Sequence, residues 1–113
     1  MNNQDVTDIV SRFKSASILV VGDIMLDRFV YGSVDRISPE SPVPILAVKR
    51  EDNMLGGAGN ALANLVGLGA KGIMLSVIGD DEDGKAVLEK AAQLGLETGG
   101  MVAASARPTI VKT

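Results

Sequence analysis

Two short runs of apolar, largely β-branched residues constrain the fold of this chain more than any other feature. They are SILVVG at residues 17–22 and GIMLSVIG at residues 72–79, and each ends at a glycine. A continuous apolar run of this length is typical of a strand buried on both faces, as in a parallel sheet. Because parallel strands need crossover connections, helices are expected between them. The sequence predicts an α/β fold with a mostly parallel sheet and right-handed β-α-β connections.

Three segments have the apolar spacing of amphipathic helices. They cover residues 5–15, 59–68 and 84–94. Gly69 is the expected C-terminal stop of the second helix, and Asp80 or Asp81 is the expected N-terminal cap of the third. Two weaker strand patterns occupy residues 96–102 and 109–113. The chain therefore alternates strands and helices over most of its length.

Two further β-prone stretches, residues 28–33 and 44–50, interrupt this alternation. The segment SPESPVP between them contains three prolines, which stop regular structure and favour an extended backbone. We expect this pair to form strands outside the main sheet, as a flap over a pocket.

Composition excludes several classes of function. The 113 residues suit one modest domain or part of a larger one, and they include neither cysteine nor histidine, so disulfides, thiolate metal sites and histidine-based catalysis are excluded. A net charge of −3 and 3% aromatic residues argue against a nucleic-acid partner. No apolar run is long enough to span a membrane. MNNQDVTDIV lacks the features of a signal peptide, so a cytoplasmic location is expected.

A candidate binding site is indicated by polar groups near the first strand and the second helix. Asp27 follows the first buried strand, at the end where open α/β sheets bind ligands. Gly56 and Gly57 precede the second helix, whose first turn carries Asn60. Glycines let a ligand approach the backbone closely, and a helix N-terminus offers unpaired N–H groups. An ionised carboxylate and an amide suit the hydroxyl groups of a polyol, so we expect Asp27 and Asn60 to face one hollow.

Ordinary structural roles remain open for the same residues. Asp27 could equally pair with Arg28 or Arg36 at the surface, and a glycine-rich helix start is weak support for a site. The segment GDDEDGK at residues 79–85 approaches a phosphate-binding loop, but Ala86 stands where a Mg²⁺-binding hydroxyl is required. Lys90 likewise occupies the position of the bidentate glutamate in a calcium loop. We therefore expect this acidic segment to cap a helix.

Three longer stretches resemble the N-terminal signatures of the ribokinase-like (PfkB) carbohydrate kinases, in the same order. They are VVGDIMLD at residues 20–27, LGGAGNALANLVGLGA at residues 55–70 and VIGDDEDG at residues 77–84. The stretches DRFVYG, RISPESPVPI and RPTIVKT are similar to the subgroup that phosphorylates heptose 7-phosphate. The resemblance covers nearly all of the chain after the first helix.

This resemblance implies ATP-dependent phosphoryl transfer to the anomeric hydroxyl of heptose 7-phosphate, a step towards ADP-heptose and the lipopolysaccharide core. It implies that Asp27, Gly56, Gly57 and Asn60 contact the sugar, and that residues 27–50 form a β-lid that pairs with the lid of a second subunit. The 7-phosphate requires a cation. Lys112 and Arg107 are the candidates, with Arg36 and Lys49 behind them, although each could also be a solvated surface charge.

The resemblance also implies that residues 1–113 lack the catalytic base of the family. The family's catalytic aspartate lies in a GAGD motif far downstream, and the matching letters here, GAGN at residues 57–60, end in an amide that cannot accept the proton. We therefore expect no catalytic residue in this chain and a catalytic base downstream of Thr113. Residues 1–113 are expected to form the N-terminal part of a ribokinase-like kinase domain. ATP and Mg²⁺ would be used by the longer protein and not bound by this part.

An incomplete sheet has consequences for assembly. It predicts an unpaired edge, an uncovered apolar face and a homodimer formed through the lid strands or the edge. Another PfkB sugar or nucleoside kinase, or a non-catalytic oligomerisation or regulatory module, remains an alternative function.

Overall fold

The computed structural model describes residues 2–113, which form two three-stranded sheets and three α-helices. The helices are α1 (Asn3–Ser11), α2 (Ala58–Gly67) and α3 (Glu82–Gln93), and a 3-10 turn (Arg12–Ser15) follows α1. The strands are β1 (Ser17–Val21), β2 (Ile24–Ile37), β3 (Pro44–Gly57), β4 (Lys71–Gly79), β5 (Glu97–Ala104) and β6 (Val111–Lys112). The α/β class predicted from the sequence is confirmed.

The first sheet is parallel, in the order β1-β4-β5. Along β4, buried Met74 and Ile78 alternate with exposed Leu75 and Val77, because successive side chains of a strand point to opposite faces. The buried face packs against the apolar sides of α2 and α3, which contribute Leu62, Val87 and Ala91. This shared core fixes the orientation of both helices on the sheet.

The opposite face of this sheet is uncovered in the described residues. Leu19 and Val21 of β1 are 56% and 67% exposed, and Val102 of β5 is also exposed. The prediction of an uncovered apolar face is thereby confirmed. The prediction that β1 is buried on both faces is wrong for this chain, because α2 and α3 both lie against the other side of the sheet.

The second sheet, in the order β3-β2-β6, is built on a long antiparallel hairpin of β2 and β3. The hairpin turns at the proline-rich segment and confirms the predicted strands outside the main sheet, although it extends over residues 24–57 and not 27–50. Its base packs on the core through Ile24, Leu26 and Leu55.

The last strand corrects a second prediction. The sequence predicts a strand over residues 109–113, in a chain whose strands form a mostly parallel sheet. The structure instead has the shorter β6, which joins the hairpin sheet parallel to β2, and Thr113 follows it as an exposed residue outside any strand. The physical reason is that the Leu26 N–H of β2 is bonded to the Ile110 carbonyl at 2.9 Å, which draws this segment to the hairpin.

The helix ends follow local chemistry. Asp81 caps α3 by accepting a hydrogen bond from the Gly84 N–H at 2.7 Å, and Gly69 ends the α2 region with φ of 99°, as predicted. Helix α1 begins earlier than predicted, because Asn2 and Asp5 form a capping box, and it tightens into the 3-10 turn after Ser11. None of the described helices is both long and apolar enough to cross a membrane.

Candidate functional site

The centre of the candidate site is the contact between Asp27 on β2 and Gly56 on β3. The two strands are paired so that Met25 lies opposite Gly56 and Asp27 opposite Met54, which brings these side-chain positions to one face of the hairpin. A Cβ atom on Gly56 would lie 2.6 Å from Asp27 Oδ1. Glycine at this position therefore leaves the space that the carboxylate occupies.

The Asp27 carboxylate has an unused acceptor. Its Oδ1 is buried and accepts no hydrogen bond from the described residues. Lys112 Nζ lies 3.1 Å from this oxygen and forms an ion pair with it, but in an orientation that does not make a hydrogen bond. Arg28 pairs instead with Asp83 of α3, so the alternative pairing of Asp27 with Arg28 is not observed. Lys112 compensates the charge of the carboxylate, and a ligand hydroxyl could supply the hydrogen-bond donor that Oδ1 lacks.

Gly57 forms the connection between the hairpin and α2. It has φ of 59° and ψ of −132°, a conformation that side-chain-bearing residues rarely adopt, and a Cβ here would lie 2.5 Å from the Asp23 carbonyl oxygen. That oxygen accepts the Ala58 N–H at 2.9 Å. Gly57 alone of the glycine pair has a positive φ, and it caps α2 without a side-chain hydrogen bond. The first turn of α2 is thus left open to a ligand.

Asn60 lies in this first turn, with an exposed side chain. It lines a hollow of about 700 Å³ between the hairpin, α2 and α3, together with Asn53, Leu55, Ala63, Glu89 and Lys90 among others. Asp27 is not among the residues that line this hollow. Because Leu26 points into the core, its neighbour Asp27 points to the opposite face of the hairpin. The expectation that Asp27 and Asn60 face one hollow is therefore not met by this cavity.

The four candidate cations are dispersed. Lys112 reaches Asp27 because β6 pairs with β2 in the register that places Asp27 opposite Lys112. Arg107 lies in the loop before β6, where its carbonyl oxygen approaches Gly79. Arg36 is roughly 30 Å along β2 from Asp27, at about 3.3 Å per residue, and Lys49 lies at an irregularity in the pairing of the hairpin. Of the four, Lys112 lies beside the Asp27 carboxylate.

The catalytic base is predicted to lie after Thr113, so residues 2–113 do not test that prediction. Asn60, the last residue of the GAGN segment, carries an amide on the first turn of α2, which fits a binding contact and not a proton acceptor. A catalytic base downstream of Thr113 therefore stays a prediction.

Sequence reasoning missed a hydrogen-bond network behind this site. Asp81 accepts the Thr109 hydroxyl at 2.7 Å and the Thr109 N–H at 2.8 Å, while the Thr109 hydroxyl accepts the Gly79 N–H at 2.9 Å. Hydrogen bonds from the Thr109 side chain and backbone, and from the Gly84 N–H, lower the pKa of Asp81 below its usual range. Only the predicted cap at Asp81 hinted at this network, since the pattern around Thr109 carries no local signal.

Comparison with known proteins identifies the family. Residues 15–113 match the pfkB family of carbohydrate kinases. "Bifunctional protein HldE" of Caulobacter sp. (strain K31) is 60% identical over 75 residues, which cover 66% of this chain and 15% of that protein. The protein of the same name from Pelobacter propionicus is 43% identical over 113 residues, covering all of this chain and 23% of the relative. The chain thus spans less than a quarter of the length of these relatives.

Solved structures show the same fold. A carbohydrate kinase from Agrobacterium tumefaciens matches with a TM-score of 0.66 and 28% identity, over 85% of this chain and 30% of that one. A fructokinase from Xylella fastidiosa with bound ATP matches with a TM-score of 0.63 and 21% identity, over 84% of this chain and 26% of that one. These likenesses confirm a partial ribokinase-like architecture. With the family match over residues 15–113, they establish that the chain belongs to the pfkB family of carbohydrate kinases.

Proposed function

We propose that this chain is the sugar-binding, N-terminal part of a cytoplasmic kinase that phosphorylates the anomeric hydroxyl of heptose 7-phosphate with ATP, on the route to ADP-heptose and the lipopolysaccharide core. The observation that carries the proposal is the buried Asp27 Oδ1, which lacks a hydrogen-bond donor and lies against Gly56. Family membership supports a carbohydrate substrate. The similarity of residues 27–32, 36–45 and 107–113 to the heptose 7-phosphate kinases supports the choice of sugar.

Asp27 is suited to orient a sugar. An ionised carboxylate only accepts hydrogen bonds, and each bond from a neutral hydroxyl to a charged group contributes about 1.5–3 kcal/mol. The side chain of Asp27 is 18% exposed, so most of the surrounding water is excluded from it. A ligand would reach the buried Oδ1 by displacing the exposed Lys112 side chain. The backbone of Gly56 and Gly57 adds a surface that a sugar ring can approach closely.

Asn60 is proposed as a second sugar contact, on the far side of the two glycines from Asp27. A sugar that touches both side chains would lie across the backbone of Gly56 and Gly57. The Asn60 amide can both donate and accept, and in the described residues its Oδ1 lies 3.4 Å from the Asn64 Nδ2 donor. The contribution of Asn60 can be measured separately from that of Asp27, because the two residues lie on different elements, α2 and β2.

Lys112 is proposed as the anchor of the 7-phosphate, with Arg107 as the second candidate. The Lys112 side chain is 68% exposed at its pairing with Asp27, so its ammonium group can move towards an anion on the same ligand without crossing the core. A phosphate monoester carries close to two negative charges at neutral pH, which would compete effectively with one carboxylate. Discrimination between phosphorylated and unphosphorylated sugars would then depend on this side chain.

ATP and Mg²⁺ are proposed to bind the longer protein, where ATP supplies the phosphoryl group and the catalytic base lies downstream of Thr113. Within residues 2–113, no three acidic side chains come close enough together to hold a metal ion. In the acidic loop before α3, Asp81 is engaged by Thr109 and Gly84. This part of the protein supplies the sugar-side contacts.

A homodimer through the hairpin is part of the same proposal. Beyond its base the hairpin exposes a series of large apolar side chains, namely Phe29, Tyr31, Val34, Ile37, Val43, Leu46 and Val48. β3 forms one edge of its sheet and leaves backbone groups available for pairing. A second copy with the same surface would cover these side chains in a self-complementary interface.

The proposal is tested by calorimetric titration of heptose 7-phosphate into the wild-type chain and the Asp27→Asn and Asn60→Ala variants. We expect Asp27→Asn to weaken binding about tenfold to a hundredfold, as the loss of hydrogen bonds to a charged group predicts. Matched controls are Asp35→Asn, in the exposed outer half of the hairpin, and Asn3→Ala, at the exposed start of α1. Equal affinities in the wild-type protein and Asp27→Asn would refute the site, and binding of unphosphorylated sugars in preference to heptose 7-phosphate would refute the substrate.

A further inference from the structure

Thr109 is a buried polar residue at the junction between the two sheets. It is 6% exposed, and both its hydroxyl and its N–H are fully used: the hydroxyl donates to Asp81 Oδ1 and accepts from the Gly79 N–H, and the backbone N–H donates to Asp81 Oδ2. The carboxylate of Asp81 also caps α3. One side chain therefore ties the end of β4 and the start of α3 to the segment that leads into β6.

The surrounding glycines leave room for this network. A Cβ atom on Gly79 would lie 2.5 Å from the Thr109 nitrogen, and one on Gly84 would lie 3.0 Å from the Thr109 hydroxyl oxygen. Side chains at either position would push Thr109 away from Asp81. The two glycines and the two polar residues thus form one fitted contact, which we call the latch (Gly79, Asp81, Gly84 and Thr109).

β6 needs such support, since it is only two residues long. Its ladder with β2 consists of Leu26 opposite Val111 and Asp27 opposite Lys112, and the Leu26 N–H donates to the Ile110 carbonyl at 2.9 Å. Strands of this length have little stability of their own, so their position depends on neighbouring contacts. Thr109 is the last anchored residue before this ladder.

We propose that Asp81 and Thr109 are positioning residues that hold Lys112 beside Asp27 and so determine selectivity for a phosphorylated sugar. The proposal rests on the proposed function, because it assigns the latch to the same sugar site. None of the hydrogen bonds within the latch involves Asp27. The effect of the latch on Lys112 passes through the backbone of Ile110 and Val111, which positions Lys112 opposite Asp27 in the pairing of β6 with β2.

The first test is structural and needs no ligand. In Thr109→Val, which keeps the shape of the side chain and removes its hydroxyl, we expect amide hydrogen exchange at Leu26 to accelerate at least about tenfold. The amides of β4 before Gly79 should remain protected, whereas the Gly79 N–H itself loses its acceptor in this variant. Thr109→Ser, which keeps the hydroxyl, should restore protection. Thr7→Val, on the exposed surface of α1, is the matched control. Unchanged exchange at Leu26 in Thr109→Val would overturn the positioning role.

The second test asks whether the latch acts through Lys112. Affinities for heptose 7-phosphate are measured for Thr109→Val, Lys112→Met and the double variant. We expect Thr109→Val to weaken binding about tenfold alone and to have almost no further effect in the Lys112→Met background, because coupled residues are not additive. Additive losses would show a general structural role and overturn the inference. Absence of binding by the wild-type chain would instead refute the proposed function, and the exchange measurement would still decide the latch.

Discussion

The carboxylate of Asp27 fills the space that a side chain on Gly56 would occupy: a Cβ atom there would lie 2.6 Å from Oδ1, 2.7 Å from Cγ and 2.8 Å from Oδ2. The two residues lie on facing strands of one hairpin, so this fit is set by the strand register and not by a flexible loop. The fit connects the glycine pair, through the space that Gly56 leaves, with the largely buried carboxylate of Asp27.

Gly56→Ala should therefore impair sugar binding more than stability. The new methyl group would displace the Asp27 side chain, which we expect to weaken binding of heptose 7-phosphate about tenfold. The loss of stability should stay near the low end of the roughly 1–3 kcal/mol typical of overpacking, because the Asp27 side chain can move away from the methyl group more easily than backbone could. Gly67→Ala is the control, since nothing lies within 4 Å of its new methyl group. Calorimetry and urea unfolding measure the two effects. An alanine variant at residue 56 with wild-type affinity would contradict the fit.

Lys112→Met should separate phosphate recognition from folding. The ion pair with Asp27 involves a lysine that is largely solvated, so its removal should change the free energy of unfolding by less than about 1 kcal/mol. We expect affinity for heptose 7-phosphate to fall at least about tenfold, with little change for the unphosphorylated sugar. Lys71→Met removes a comparably exposed lysine from its ion pair with Glu97 and should leave both affinities unchanged. Equal losses for both sugars in Lys112→Met would exclude a phosphate anchor.

Asp81 should make the free energy of unfolding depend on pH in the acidic range. The Thr109 hydroxyl, the Thr109 N–H and the Gly84 N–H hold the pKa of Asp81 below its usual value of about 3.9. A carboxyl whose pKa is lower in the folded state binds protons more readily when unfolded. Its contribution to stability is therefore complete above the unfolded pKa and is lost as the pH falls through the folded pKa.

Urea midpoints measured at a series of pH values from neutral down through this window check that expectation. Asp81→Asn should flatten the fall in stability at acidic pH, whereas Asp80→Asn, at the exposed neighbouring position, should keep the wild-type profile. Identical pH profiles for the wild-type protein and Asp81→Asn would show that the Thr109 contacts do not stabilise the charged carboxylate.

Two apolar surfaces compete as the site of self-association, and one substitution in each distinguishes them. Ile37→Asp places a charge near the end of the hairpin, and Val21→Asp places one on the uncovered face of the parallel sheet, where both native side chains are 67% exposed. If the hairpin forms the dimer, Ile37→Asp should give a monomer in light scattering at micromolar concentration and Val21→Asp should remain dimeric. The reverse pattern would place the interface on the sheet, and a monomeric wild-type chain would exclude both.

Much of the architecture follows from local sequence signals. The apolar runs locate β1 and β4, the helical spacing locates α2 and α3, and the proline-rich segment marks the turn of the hairpin. Asp81 and Gly69 act at the helix ends where capping chemistry requires them. Each of these features is decided within a few residues by backbone sterics, hydrogen bonding or apolar periodicity, so a single sequence contains the necessary information.

The relationships that make the candidate site depend on contacts between distant parts of the chain. β6 is too short to have a periodicity, so neither its pairing with β2 nor the approach of Lys112 to Asp27 could be read from residues 107–113. The sequence of β1 is that of a strand buried on both faces, although one face is exposed in the structure. An apolar run does not show whether another element packs against each face.

The sequence by itself determined the α/β class, the hairpin outside the main sheet and the residue types available to bind a sugar. Only the tertiary structure decided that Asp27 fits against Gly56, that Thr109 is hydrogen-bonded to Asp81, and that Asn60 lines a hollow that Asp27 does not line. The physical reason is that strand register and side-chain alternation assign each residue to one face of a sheet. That assignment is fixed by packing across the whole molecule and not by the neighbours of a residue along the chain.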